Sequence, residues 1–405
     1  MNVLNPFHAN FYKNPYPVYA HFRHHDPIHW GVAAVPYLPG CWYFTCYTDI
    51  VAALKDNRLG REIRRALPAA RFQSLPEAAK PFARLSSQWM VFRDPPDHTR
   101  LRILINKAFT PNTVEKMRSR IQDIALELIE NARPAGKMDL IEEYAFLLPA
   151  TVIAEILGVP AKYRQKFREW SAVIASAIDV RQTTEVTVRA SQVTQEITEF
   201  LKSLVEERRH RPQDDMISAL IDAEQNGDRL SEGEIIATCL LLIVAGHETT
   251  MNLIGSGMYA LLRNPDQLEK LRQNPTLSTS AIEELLRYDS PVQMTFRYAM
   301  EDLEIDGHRI HQGEMVGFIL GAANRDPEQF PDPDRLDIMR VNNHQAAFGV
   351  GIHYCVGAPL ARLEGQIAIS TLLEQFHHLH LAAQPPEWRE MIAFRGLKSL
   401  PVIFN

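Results

Sequence analysis

The chain has 405 residues, 46% of them hydrophobic and 23% charged, with a formal net charge of -6. That composition is ordinary for a globular enzyme with a substantial core, and an acidic balance argues against nucleic-acid binding, which calls for a basic surface. Four cysteines (Cys41, Cys46, Cys239 and Cys355) are too few and too irregularly spaced for a disulfide framework, which points to a reducing cytoplasm. The stretch Met1 to Pro17 has no apolar h-region, so no signal peptide is expected. The longest apolar run, Ile235 to Ala245, falls short of the roughly 20 residues that span a bilayer, so no membrane anchor is expected. No repeat, low-complexity tract or flexible linker divides the chain, and residues 1-405 read as a single domain.

In chain order, Pro17 to His25 predicts a short helix and Trp42-Tyr43-Phe44-Thr45 a strand entered through Gly40. Asp94-Pro95-Pro96-Asp97 stops one segment and opens a helix towards Ala108, because proline is tolerated in a first turn. Helical periodicity then dominates to Tyr288, broken at Gly158-Val159-Pro160, Arg211-Pro212 and Asn264-Pro265. Ser231-Glu232-Gly233-Glu234 is a capping box, and it predicts a helix to Arg263 that is apolar nearly all round and therefore central. In its middle stands Ala245-Gly246-His247-Glu248-Thr249-Thr250, polar where packing alone would favour Leu or Val. Gly246 weakens the helix and a threonine bonded back to a carbonyl bends it, which opens a pocket or marks a plain kink.

Glu284-Leu285-Leu286-Arg287 places opposite charges at i and i+3, by spacing alone a common surface pair. Turns at Ile305-Asp306-Gly307, Gln312-Gly313 and Asp332-Pro333 separate short strands before a last long helix from Ala358. Just ahead of that helix lies Phe348-Gly349-Val350-Gly351-Ile352-His353-Tyr354-Cys355-Val356-Gly357. Its glycines permit positive φ and close approach to a flat partner, and loop N–H groups with a helix N-terminus can stabilise a thiolate. Cys355 is then a metal ligand, a structural thiol or a nucleophile with His353 as base, the last being a hydrolase arrangement without any metal.

Phe-Gly-x-Gly-x-His-x-Cys-x-Gly resembles the haem-binding loop of the cytochrome P450 monooxygenases, and Ala-Gly-x-Glu-Thr-Thr resembles their oxygen-side helix. Asn14-Pro15-Tyr16, Asp94-Pro95-Pro96, Glu-x-x-Arg and Ala323-Asn324-Arg325-Asp326-Pro327 follow the same family order. The nearest likeness is to soluble bacterial members that oxidise fatty-acyl chains in the biotin pathway and to macrolide-hydroxylating relatives. One departure is Asn343-His344-Gln345-Ala346, where the family commonly has Asn-Pro-His-Leu. The resemblance implies a mainly α fold with a small β-rich region and one haem b whose iron is bound by Cys355. Implied for the haem propionates are His98, Arg102, Arg297 and His353, with Phe348 on the proximal side and Ala245 and Gly246 on the distal side. Glu248 as proton relay and Thr249 as hydrogen-bond partner of dioxygen are the implied catalytic pair, and Glu284–Arg287 ties the fold to the segment ahead of the Cys loop. The implied reaction inserts one oxygen atom of dioxygen into a C–H bond of a lipophilic substrate, a fatty-acyl or macrolide-like chain, free or carrier-bound. Electrons come from NAD(P)H through a ferredoxin or flavodoxin and its reductase, docked near Arg100, Lys107 and Arg362. A peroxide-driven or non-oxidative haem enzyme of the same fold is the alternative. Pocket walls are expected from Val244, Ala245, Met294, Phe296, Phe394 and the stretches 61-90 and 170-183.

Overall fold

The computed structural model describes residues 4-5, 9-33, 38-68, 76-177 and 183-404. Pro17 falls in the first turn of helix α1 (Tyr16–His25), where its missing N–H costs nothing. Strands β1 (Ile28–Gly31), β2 (Cys41–Phe44) and β3 (Leu59–Gly60) come next, the second one residue ahead of its sequence-predicted bounds. The double proline starts α2 (Asp97–Ala108) where the sequence predicts it.

A helical body then builds up from α3 (Arg118–Ala132), α4 (Leu147–Ile156), α5 (Thr184–His210), α6 (Glu232–Arg263) and α7 (Ser278–Tyr288). Helix α6 begins at the predicted capping box, with the Ser231 hydroxyl accepting from Glu234 N–H and the Glu234 carboxylate accepting from Ser231 N–H. At 32 residues with a hydropathy of 1.4 it is long and apolar enough to cross a membrane, yet 72% of that window is buried inside the protein. It is the core helix of the body, packed on α4, α5, α7 and α8 (Ala358–Gln375). Gly365 of α8 lets the two helices close up, since a Cβ there would come within 2.9 Å of Leu253.

The strands gather at the other side. β1, β2 and β3 form one sheet with two later strands, Thr295–Ala299 and Met315–Phe318, in the order β1, β2, Met315–Phe318, Thr295–Ala299, β3. β2 and Met315–Phe318 run parallel and every other pair antiparallel. A final hairpin, Glu387–Trp388 with Leu397–Ser399, lies against α6.

Spacing alone misplaces one pair. Glu284 and Arg287 are not on the surface: both side chains are 0% exposed. Arg287 donates to Glu284 through two bonds of 2.7 and 2.8 Å and to the carbonyls of Asn324 and Pro333 at 2.8 Å. Glu284 in turn accepts from Asp337 N–H (2.9 Å), Arg340 (3.1 Å) and Asn343 (3.1 Å). A charge buried this deeply is tolerated because every partner is present. The unusual Asn343-to-Ala346 stretch is held as well, by Gln345 to Glu283 (3.0 Å) and by Ala346 N–H to Asn324 (2.7 Å).

Candidate active site

Cys355 sits between a short turn, Gly351–His353, and the first residue of α8. Gly349 (φ 71°) and Gly351 (φ 77°) take the left-handed conformation that the sequence predicts for this loop, and at Gly351 a Cβ would also strike the Leu54 carbonyl at 2.8 Å. The loop is closed by Cys355 N–H donating to Phe348 O at 3.0 Å. Burial raises the Cys355 thiol above its usual range, while Gly357 N–H, Arg102, Ala358 N–H and Arg362 pull the other way. The sulfur is therefore surrounded by groups that favour its thiolate, in a setting that disfavours an uncompensated negative charge. A bound cation resolves that conflict. Among the described residues no three His, Cys, Asp or Glu side chains converge on a metal, and a single thiolate in a glycine-rich loop fits the proximal-ligand position that the resemblance implies.

Four of the sequence-predicted cradle residues come together. His98 of α2 and His353 face each other with ring centroids 4.2 Å apart. Burial and then the Arg297 and Arg61 cations, with His98 and Arg102 adding to them, push His353 down to about 2. His98 is buried and both its ring nitrogens lack a protein partner. Arg297 is buried on its strand, where it faces Val316 and where burial and Arg61 push its pKa far down. Arg102, half-buried, donates to the Tyr354 carbonyl at 2.6 Å, next to Cys355.

Arg61 is the group that sequence reasoning did not assign to the cradle. Its guanidinium donates to Phe296 O (2.6 Å) and Val91 O (2.8 Å), and it is one of the cations acting on His353 and Arg297. Asp94 is the carboxylate in this group, and its oxygens already accept from the N–H groups of Arg61 (2.8 Å) and Glu62 (2.9 Å). The buried Arg297 and the half-buried Arg61 with so little counter-charge are costly unless an anion joins them, and two carboxylates of a flat cofactor match that need.

The opposite wall is the middle of α6. Ala245 is exposed and Gly246 and Thr249 half-exposed, while Val244, His247, Glu248 and Thr250 are buried, so one face of a core helix is left accessible. Thr249 and Thr250 donate back to the carbonyls of Ala245 (2.9 Å) and Gly246 (3.2 Å), the bend-inducing pattern. The Glu248 carboxylate meets the guanidinium of Arg389 in an ion pair, with side-chain exposures of 6% and 31%.

The chain matches the cytochrome P450 family model over residues 78–397. It belongs to that family. The "Polyketide biosynthesis cytochrome P450 PksS" of Bacillus subtilis (strain 168) is 40% identical over 99% of this chain and 98% of its own length. The "Biotin biosynthesis cytochrome P450" of the same organism is 42% identical over 98% of both. Among solved structures, that of P450BioI in complex with hexadec-9Z-enoic acid ligated acyl carrier protein superposes with a TM-score of 0.90 at 41% identity, covering 98% of this chain and 99% of that one.

As a cytochrome P450 monooxygenase, the chain has haem as its family's cofactor, and a haem-free cysteine hydrolase is ruled out. Locally the hydrolase reading has no support either: among the described residues no hydrogen bond joins His353 to Cys355, and His353 packs on His98 instead. Phe348 is half-buried under the Arg362 guanidinium, 4.5 Å from its ring centroid. The cations expected to meet a redox partner are engaged within the protein. Arg100 pairs with Asp228 (2.7 Å) and Glu234 (2.8 Å), Arg362 with Glu283, and Lys107 donates to the Glu224 carbonyl. Of the expected pocket walls, Ala245, Phe296 and Phe394 are open, whereas Val244 and Met294 are closed off at 2% exposure, Met294 in a core cluster with Tyr19 and Ile392. Residues 69-75 and 178-182 of the two remaining stretches lie outside the described residues.

Proposed function

We propose that this P450 hydroxylates a lipophilic acyl or polyketide-like chain, with Cys355 as proximal ligand of a haem b and Arg61, His98, Arg102, Arg297 and His353 holding its propionates. One observation carries the assignment: the buried Arg297 and the half-buried Arg61 and Arg102, with Asp94 already bonded to backbone N–H groups, gather beside the Cys355 loop, and the core helix α6 leaves Ala245, Gly246 and Thr249 accessible. Haem in this setting supplies dioxygen activation, so that one oxygen atom enters a substrate C–H bond and the other leaves as water, with two electrons from NAD(P)H and two protons.

The chain's own residues serve that balance in three ways. Arg102, anchored on Tyr354 O, brings positive charge to the sulfur and favours the thiolate. Thr249, whose hydroxyl donates to the Ala245 carbonyl at 2.9 Å on the accessible face of α6, would offer that hydroxyl to orient the oxygen to be protonated. Glu248, in the same turn of α6, passes protons inward. The substrate class rests on the polyketide and biotin relatives and on the acyl-carrier complex of P450BioI, with the half-buried Phe296 and Phe394 as apolar candidates for the pocket wall. A ferredoxin or flavodoxin with its reductase delivers the electrons, in the cytoplasm, to a chain that works as one domain.

The test is the carbon monoxide difference spectrum of the ferrous protein. The parent should show the thiolate-type band and Cys355→Ala should lose it. A thiolate-type band in that variant would end the assignment.

A further inference from the structure

Arg389 belongs to no motif that identifies the family. It follows the strand Glu387–Trp388, and its N–H donates to Gly396 O at 3.0 Å, which extends the final hairpin by one more pair. The hairpin is fixed on both sides of this pair. Arg395 stacks on the Trp388 ring at 3.7 Å and donates to Asp289 at 2.7 Å, while Asn252 of α6 is packed so tightly on Gly396 that a Cβ there would lie 1.8 Å from its side-chain oxygen. The Arg389 backbone therefore has a set distance from α6, and its side chain spans that gap to Glu248.

We propose that Arg389 is a positioning residue for proton delivery, holding the Glu248 carboxylate in its inward place and connecting it to solvent. This rests on the relay role of Glu248 proposed above. The physical reason is the difference in exposure across the pair. Glu248 is 6% exposed, which limits its own contact with water; Arg389, its ion-pair partner, is 31% exposed and is followed by the exposed Glu390. A guanidinium suits the task because its planar set of five donors can keep one bond to the carboxylate while another meets water. Each proton that Glu248 passes inward is replaced by one from solvent water at this junction, and Arg389 keeps its own charge throughout. Nearby His247 does not compete, because burial and then the Arg389 charge hold its imidazole down at about 4.

Arg389→Met should slow NAD(P)H-dependent turnover about tenfold and raise the solvent isotope effect, with the substrate-induced haem shift and the carbon monoxide band both at parent values. Arg389→Lys, which restores a cation but not the fork, should recover at least half of the lost rate. Should Arg389→Met fail to incorporate haem, Arg389→Gln takes its place with the same expected slowing. If Glu248→Gln is slow but the Arg389 variant that carries haem turns over at the parent rate and isotope effect, the pair is only a structural contact and Arg389 has no part in delivery. If Glu248→Gln itself turns over as the parent does, the relay role is lost and the Arg389 role with it.

Discussion

At the scale of single residues, the proposed propionate cradle divides into what residue type announces and what it conceals. His98 and Arg102 are four apart on a helix that a double proline starts, so their common side is legible from spacing. Arg297 and His353 are legible through the motifs beside them. Arg61 carries no such signal: it follows a two-residue strand, and it reaches the site because β3 pairs with Thr295–Ala299 and Asp94 draws in its backbone N–H. Arg389 is hidden for the same reason, its partner lying 141 positions away. Arg61→Ala and Arg297→Ala should each speed haem loss to an apo-globin acceptor, since each leaves a propionate without a charge-assisted donor worth about 1.5 to 3 kcal/mol. Arg61→Ala should match Arg297→Ala within a few-fold if both are in the cradle. A parent-like loss rate for Arg61→Ala would confine that side chain to bracing the Phe296 and Val91 carbonyls.

At the scale of elements, hydropathy and capping place α6 and α8, but what lies between them cannot be read from either alone. Glu364 of α8 is 1% exposed, with one carboxyl oxygen unpartnered, and desolvation raises its pKa to about 8 against the partial relief of a hydrogen bond with Thr250. The sign of the linkage follows. The folded protein binds this proton more tightly than the unfolded chain, so between about 4.5 and 8 the native state holds the extra proton and loses stability as pH rises. The loss accrues at no more than about 1.4 kcal/mol per pH unit. Glu364→Gln should therefore match the parent's thermal midpoint at pH 5 and exceed it at pH 8 in the haem-loaded protein. Equal pH dependence in the two proteins would show that Glu364 stays ionised in the fold. Glu284 and Arg287 teach the converse at the same scale: an i, i+3 pair has the same spacing on the surface and in the core, and here what buries it is a segment 37 to 59 residues further on.

At the scale of the whole molecule, motif order alone makes the family legible, because the Cys loop, the oxygen-side helix and Glu-x-x-Arg are each written locally. How the molecule meets its electron donor is not, since that depends on which charges remain free after folding. Despite the overall negative charge, the positions of Arg100, Lys107 and Arg362 lead to an expectation of ionic docking, but in the fold Arg100 pairs with Asp228 and Glu234, Arg362 pairs with Glu283, and Lys107 donates to the Glu224 carbonyl. Exposed near these residues are also Ile103 of α2 at 41%, with Ile352 at 46% and Tyr354 at 39% in the Cys loop itself. Exposed apolar side chains grouped next to a redox centre favour contact by burial, and paired surface charges add little steering. Ile352→Glu should thus raise the KM for a ferredoxin or flavodoxin donor by about tenfold, the equivalent of roughly 1.4 kcal/mol, while Arg100→Ala should change it by less than about threefold. Raising the salt from 50 to 200 mM should leave the KM within a few-fold as well. A steep salt dependence together with a large Arg100→Ala effect would mean that Arg100 exchanges Asp228 and Glu234 for acidic groups of the donor, and that docking is ionic after all.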